Sequence, residues 1–421
     1  MKWQLDQFRG KDIVFVGAGK GRALAGVQAF LSAHGNINSF AAIDKQDNDN
    51  PLEFLTSYDA GKTVFIKNEA VPGSEMPVSY YTPLQLFFEL VGQCDAVTVG
   101  ITGTKGKSTT AALTAHILQS AGKDVVLAGN IGQSPLSSLD KANTDTIFVL
   151  ELSSYQLSDL AISPHISACL NLYNDHTDWH GSLDGYWEAK HNIMRYASAE
   201  DIFIYNPDFP ELKKWATTAN CKTIAIDKST PLDLSHAQLF GEHNRLNALV
   251  AREIAHQFDI SDHIISGAID SFTPLKHRMQ LVATVNKRTY IDDGIGMTPE
   301  STLASLTAIS QKYGHIGCVL LGGQDRNYHY KNLMTAIAKL QVPALVLFPD
   351  TAQKMKEAFP ATYTPHILET TSMETAVKWA SRQAPIHTTI VLSTAAPSYS
   401  LWKDFEEKGD QFQRAISRLT S

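Results

Sequence analysis

The sequence predicts an α/β protein in three regions, each folded around a mostly parallel sheet. Three observations point that way. The chain has 421 residues, more than one ordinary core serves, so two or three domains are expected. Short apolar runs alternate with stretches of helical length, the pattern of strands joined by crossover helices. A Gly-rich turn ending in Lys-Ser lies between one such run and one such stretch, at Thr102-Gly103-Thr104-Lys105-Gly106-Lys107-Ser108-Thr109.

In the first region Ile13-Val14-Phe15-Val16 reads as a strand, Gly17-Ala18-Gly19 as a tight turn and Arg22 to Ala33 as a helix. A second strand runs from Ser39 to Ile43 and ends at Asp44; the region closes near Val91. The second region opens with a buried strand at Ala96 to Val99, which feeds the Gly-rich turn. Thr109 to Gly122 reads as a helix that stops at its glycine. Further strands are expected at Val125 to Ala128, Thr146 to Leu150 and Ile166 to Leu172. The third region starts near Pro274, with strands at Thr289 to Ile291, Gly317 to Leu321, Ala344 to Phe348 and Thr388 to Leu392. The expected domain bounds are 1–94, 95–275 and 276–421.

Composition narrows the function. The formal net charge of −7 disfavours non-specific binding to nucleic acid or to an anionic membrane. Cys94, Cys169, Cys221 and Cys318 are widely spaced and form no CxxC pair, as expected of free thiols in a reducing compartment. Met1 to Gly10 is polar rather than a secretory signal, and no run reaches the roughly 18 apolar residues of a membrane span. The expectation is a cytoplasmic protein with ATP at hand.

The Gly-rich turn is the first chemical signal. Backbone N–H groups of the turn and of the following helix N-terminus converge on anions. Lys107 would bridge the outer phosphates of a nucleotide, and Ser108 or Thr109 would hold Mg²⁺. A strict Walker motif has glycine where this chain has Ile101, so only the tail of the motif matches. By itself the turn fits kinases, GTPases and motor ATPases equally well.

The order of further motifs is more specific. The turn is followed by Gly129-Asn130-Ile131-Gly132, by Glu151-Leu152-Ser153-Ser154-Tyr155-Gln156 and by Asn171-Leu172-Tyr173-Asn174-Asp175-His176-Thr177-Asp178. Lys190, Gly241-Glu242-His243-Asn244-Arg245-Leu246-Asn247, His277-Arg278, Asp292-Asp293, Gly322-Gly323 and Ser398 complete the series. This series resembles the Mur ligases of peptidoglycan synthesis, over essentially the whole chain. Within them it looks most like the MurD type, which joins glutamate to UDP-N-acetylmuramoyl-L-alanine.

The resemblance implies a Rossmann-like N-terminal domain for the UDP-sugar, a central P-loop ATPase domain and a Rossmann-like C-terminal domain for the amino acid. It implies ATP-dependent amide formation: the substrate carboxylate is phosphorylated, and the amine then displaces phosphate. A site for that chemistry gathers negative charge and neutralises it with cations and metal ions. Glu151, His176 and Lys190 are thereby implied as metal-site residues with Ser108, for two Mg²⁺ ions, with Lys190 carbamylated. A carbamate needs a neutral amine, hence a depressed lysine pKa. Gly103, Thr104, Lys105, Gly106, Lys107, Ser108 and Thr109 would cradle ATP, Asn244 and Asn247 would hold its adenine end, and Arg278 and Asp293 would close on it. His243-Asn244 also fits a helix cap. Asn130, Ser153 and Gln156 would touch the nucleotide-sugar substrate. A monomer is expected, with no nucleic-acid partner and no membrane insertion.

Two departures stand out. After the Asp pair the MurD-type pattern is Ser-Lys-Ala-Thr-Asn, whereas this chain has Gly294-Ile295-Gly296-Met297-Thr298. Ile295 and Met297 replace a lysine and a threonine of the glutamate site, and neither donates a strong hydrogen bond. Arg326 stands in for another lysine and can pair bidentately with a carboxylate, while Ser398 and Phe405 match. The amino acid is therefore expected to be acidic. D-glutamate is the family default; Met297-Thr298-Pro299 and Gly323-Gln324-Asp325-Arg326 lean toward a related branch that takes L-glutamate. The second departure is in the first domain, where Lys20, Arg22 and Asp44 are the UDP candidates. The usual Ser-Pro-Gly segment is absent, with Ala70-Val71-Pro72-Gly73 the nearest match. A folylpolyglutamate- or cyanophycin-type ligase and a non-catalytic nucleotide-binding homologue remain as alternatives.

Overall fold

A computed structural model describes residues 3–17, 22–43 and 52–419; the side chain of Arg22 lies outside that set, as do Lys20 and Asp44. Among the described residues the strands form three sheets. The chain divides into two compact units, Met1–Leu232 with Leu246–Ile269, and Asp233–Arg245 with Asp270–Ser421.

The first unit holds two sheets. One comprises β1 (Asp12–Val16), β2 (Ser39–Ile43), β3 (Thr63–Lys67) and β4 (Tyr80–Tyr81), in the order β2-β1-β3-β4 and parallel throughout. The other comprises β5 (Val97–Thr102), β6 (Asp124–Gly129), β7 (Thr146–Glu151), β8 (Ile166–Cys169), β9 (Ile202–Tyr205) and β10 (Lys222–Ala225). Its order is β10-β9-β8-β5-β7-β6, again all parallel. β5 and β7 are buried almost without a break because a parallel sheet is covered on both faces. One apolar core joins both sheets, with Phe15, Phe87, Phe148 and Leu150 fully buried in it. Phe87 and Phe148 meet edge to face at 5.2 Å, each ring contributing about 2 kcal/mol of apolar burial.

The strand order explains where a ligand belongs. From β5 the chain runs outward to β6, returns to β7 beside β5, then crosses to β8 on β5's other side. Loops leaving β5, β7 and β8 thus open a crevice at their carboxyl ends, the switch point where open α/β sheets bind ligands.

The second unit holds β11 (Gln280–Val285), β12 (Arg288–Asp292), β13 (Ile316–Gly322), β14 (Ala344–Phe348), β15 (His366–Glu369) and β16 (Thr389–Leu392). The order is β11-β12-β16-β13-β14-β15, parallel apart from the β11–β12 hairpin.

Several expected bounds move. β5 runs through Thr102 and the next helix is Lys107–Ser120, earlier than Thr109 because the Lys-Ser pair itself forms the first turn. β8 stops at Cys169, short of the expected Leu172. There Leu170 N–H still bonds Thr102 carbonyl at 3.0 Å, but Asn171 then turns to the Gly-rich loop, whose Thr104 N–H it accepts at 3.0 Å. β3, β4, β9, β10, β11 and β15 are strands that the apolar pattern alone did not single out.

Candidate active site

Ile101 explains the incomplete Walker motif. It lies inside β5, paired to Glu151 of β7 and Ala168 of β8, and is fully buried. A strand residue in a double ladder needs no glycine. The turn instead uses Gly103 at φ +149 and Gly106 at φ +88, backbone conformations that disfavour side chains. A Cβ at Gly106 would also strike the Asn247 carboxamide oxygen at 2.5 Å. Asn247 therefore sits against the Gly-rich loop.

The loop is braced from the β8 side. Lys105 N–H donates to Asn171 Oδ1 at 2.8 Å, and Asn171 Nδ2 returns a bond to Lys105 carbonyl at 2.9 Å. Thr104 Oγ1 accepts from Tyr173 N–H at 2.9 Å and from Tyr186 hydroxyl at 3.1 Å. Lys107 Nζ folds back onto the carbonyls of Gly103 and Thr104, both at 3.1 Å. Ser108 and Thr109 are buried in the first helical turn.

Lys190 reaches the same loop from the helix Leu183–Arg195. It is 1% exposed. Its Nζ donates to Gly103 carbonyl at 3.0 Å and to Thr102 Oγ1 at 3.4 Å, and lies 4.8 Å from the Tyr186 ring centre. Burial, and then the charge of Lys107, push its pKa down to about 7, so much of it is neutral near pH 7.

Glu151, at the carboxyl end of β7, is 1% exposed. Its Oε1 accepts from Asn130 Nδ2 at 3.4 Å, and its buried Oε2 has no hydrogen-bond partner. A buried carboxylate oxygen without a donor is costly unless a cation meets it, and a hard oxygen suits Mg²⁺. His176 starts the short helix Thr177–His180 in the left-handed conformation, φ +49. Tyr155 hydroxyl meets its Nδ1 at 2.9 Å. Burial lowers its pKa, and the charges of Lys190, Lys107 and Lys105 add to that against Asp175. No cluster of three or more His, Cys, Asp or Glu side chains arranged for a metal occurs among the described residues. The implied set contributes only Glu151 and His176 to such a cluster; a serine hydroxyl and a carbamate would be the rest.

Ser153 and Gln156 form a capping box at the start of the helix Ser154–Leu157, with Gln156 N–H to Ser153 Oγ at 3.2 Å and Ser153 N–H to Gln156 Oε1 at 3.0 Å. Tyr155 stands in the same motif, but only the folded structure gives it a partner in His176. The cap reading of Asn244 is overturned. It lies inside the helix Glu242–His256, and its Nδ2 donates to Phe240 carbonyl at 3.0 Å, whereas an N-cap side chain accepts.

In the second unit Asp293 is buried behind β12. Its Oδ2 accepts from Ser393 at 2.7 Å and its Oδ1 from Met279 N–H at 3.2 Å. Burial raises its pKa to about 6 against those bonds. Asp292 pairs with buried His277 at 2.7 Å. Burial opposes the charge on His277, yet the hydrogen bond and charge of Asp292 prevail and raise its pKa. Ser398, 1% exposed, has an unpartnered hydroxyl in the loop after β16. Phe405 begins the helix Phe405–Ser417. Arg326 is exposed, with Nε donating to Gln324 at 3.1 Å. Ile295, Met297 and Arg278 are half-buried. The sequence reading passed over Lys408. It is fully buried and donates to Thr394 Oγ1 at 2.6 Å; burial lowers its pKa to about 7. Its place in a charged helix start, Phe405-Glu406-Glu407-Lys408, carries the pattern of a solvated face.

Comparison with known proteins identifies the family. Residues 101–260 match the Mur ligase middle domain and residues 277–396 the Mur ligase glutamate ligase domain. A UDP-N-acetylmuramoylalanine–D-glutamate ligase of Bacillus mycoides is 31% identical, over 88% of this chain and 86% of the relative. One of the same name from Ligilactobacillus salivarius is 28% identical over 99% of this chain and 98% of its own length. The solved MurF ligase of Thermotoga maritima in complex with ADP superposes with a TM-score of 0.64 at 15% identity, covering 99% of this chain and 97% of that one, a likeness of fold. With two matching domains in sequence order and close relatives along nearly its full length, the chain belongs to the Mur ligase family.

Proposed function

We propose that this protein is an ATP-dependent ligase that joins glutamate to UDP-N-acetylmuramoyl-L-alanine in cytoplasmic peptidoglycan precursor synthesis. The observation that carries the reading is that Lys107 and Lys190 both bond carbonyls of one Gly-rich loop at the switch point of the second sheet, while Glu151 lies buried at the carboxyl end of the neighbouring strand β7. Relatives named as D-glutamate ligases support D-glutamate as the amino acid. We read domain bounds of 1–94, 95–275 and 276–421, and a monomer. Among the described residues no helix is long and apolar enough to cross a membrane.

In this reading the backbone N–H groups of Gly103 to Ser108 hold the phosphates of ATP, and Lys107 leaves its carbonyl partners to neutralise the transferred group. Bound Mg²⁺ would spread the charge of the phosphates and the acyl phosphate. Glu151, through its unpartnered oxygen, His176, Ser108 and a carbamylated Lys190 would hold it. Tyr155 keeps His176 oriented by binding Nδ1, which leaves the other ring nitrogen for a ligand. Arg326 would take a glutamate carboxylate and Ser398 would donate its unused hydroxyl. Asn130, Ser153 and Gln156 would line the sugar end, with Lys20, Arg22 and Asp44 toward UDP. Asn244 and Asn247 would flank the adenine, Arg278 and Asp293 the ribose and phosphates.

A second reading, L-glutamate, rests on Met297-Thr298-Pro299 and Gly323-Gln324-Asp325-Arg326, with Ile295 and Met297 standing where the MurD-type pattern has a lysine and a threonine. Offering D- and L-glutamate separately, with ATP, Mg²⁺ and the UDP-muramoyl substrate, decides between them by product identification. Product from D-glutamate alone supports the first reading; product from L-glutamate alone overturns that isomer assignment.

A further inference from the structure

The first unit contains a buried ion pair that the proposed chemistry does not use. Lys67 ends β3 and is fully buried. Its Nζ lies 2.7 Å from Asp159 Oδ2 and donates to Val71 carbonyl at 2.6 Å. Asp159 Oδ1 accepts from Tyr80 hydroxyl at 2.9 Å, and the lysine sits 5.4 Å from the Tyr80 ring centre. Two strands of the first sheet thus grip a carboxylate two residues beyond the helix Ser154–Leu157 of the second sheet's crevice.

Between β3 and β4 the chain makes a loop, Asn68 to Gly73, and the pair pins it. A Cβ on Gly73 would collide with both Tyr80 hydroxyl and Asp159 Oδ1, so the loop passes hard against the pair. Its far side is tied as well: Trp179 Nε1, three residues after His176, donates to Ala70 carbonyl at 3.1 Å. Glu69, half-buried, meets the Gln156 side chain. One loop from the first sheet therefore touches the two segments, 153–156 and 176–180, that wall the phosphate-loop crevice.

We infer that the Lys67–Asp159 pair is a positioning device that seats the Asn68–Gly73 loop on the crevice wall, and that this seating sets affinity for the nucleotide-sugar substrate rather than for ATP. The inference rests on the function proposed above. A buried ion pair is a poor source of net stability, because desolvation offsets its attraction, but it specifies one arrangement strongly since either partner alone is costly. ATP contacts come from the Gly-rich loop, which neither Lys67 nor Asp159 touches.

The test compares the full-length wild type with Asp159→Asn, the double variant Lys67→Met with Asp159→Asn, and Tyr80→Phe, measuring melting temperature and KM for each substrate. Wild-type turnover with ATP, glutamate and UDP-N-acetylmuramoyl-L-alanine is the control; its absence refutes the proposed function itself. Asp159→Asn is expected to melt lower and to raise KM for the UDP substrate about tenfold, equivalent to 1.4 kcal/mol, with KM for ATP changed less than twofold. The double variant removes the unpaired buried cation, so its melting temperature recovers while KM stays high. Tyr80→Phe keeps ring and ion pair, folds as wild type and raises the same KM by two- to threefold. If KM for the UDP substrate stays at the wild-type value in all three, or returns with melting temperature in the double variant, the pair is only structural and the inference is overturned.

Discussion

At the residue scale the proposed chemistry turns on two lysines in different states. Lys107 rests on the carbonyls of its own loop, a position it must leave to meet a phosphate. Lys107→Ala is expected to lower kcat at least a hundredfold in an ADP-release assay, with a melting temperature near wild type because that side chain is not core. Lys190 is buried with a pKa near 7 against an ordinary 10.5. In the unfolded chain it keeps its proton up to about 10.5, so between pH 7 and 10.5 the unfolded state binds more protons and this lysine makes stability rise with pH. Below pH 7 both states are protonated and its pH dependence vanishes. In CO₂-depleted buffer the wild type should therefore melt progressively higher from pH 7 to 9 than Lys190→Met does by comparison with its own value at pH 7. The same neutral amine should take up ¹³C-bicarbonate at pH 8 and give a carbamate signal by NMR, absent in Lys190→Met; a wild type without that signal would rule out carbamylation.

At the scale of elements the Gly-rich loop works because β5 ends in a double ladder and the following helix starts at once. Ile101 belongs to the strand, so restoring the Walker glycine there should harm the protein. Ile101→Gly removes a fully buried side chain and loosens a central strand, at a cost of about 3 to 5 kcal/mol, read as a lower denaturant midpoint with no gain in ATP affinity. The sequence made this element legible since its apolar run, glycines and Lys-Ser pair are local. It did not make legible where β8 ends, because Asn171 leaves the ladder to brace Thr104 and Lys105, partners some 66 residues away in sequence. Nor did it make legible the edge strands β10 and β15, which are short and mostly exposed. Lys67, Lys408 and Asp159 carry no local signal of burial; only the fold takes the two lysines out of solvent and half-buries the aspartate.

At the scale of the whole molecule the three-sheet organisation and the order of motifs were visible in the sequence, since a series of modest motifs in fixed order is far more specific than any member. The amino-acid end was less legible, because Ile295, Met297 and Arg326 stand where the MurD-type pattern has other donors and handedness depends on where each donor points. Restoring the missing hydroxyl with Met297→Thr should lower KM for D-glutamate relative to L-glutamate; an unchanged ratio would mean that this position does not set handedness.

In the proposed reaction ATP is spent on activating a muramoyl-alanine carboxylate for attack by glutamate. The direct measurement is phosphate release against amide product with each component omitted in turn. One phosphate per amide formed is expected, with release abolished when either UDP-N-acetylmuramoyl-L-alanine or glutamate is left out. Phosphate release indifferent to both substrates, or none with all components present, would contradict it.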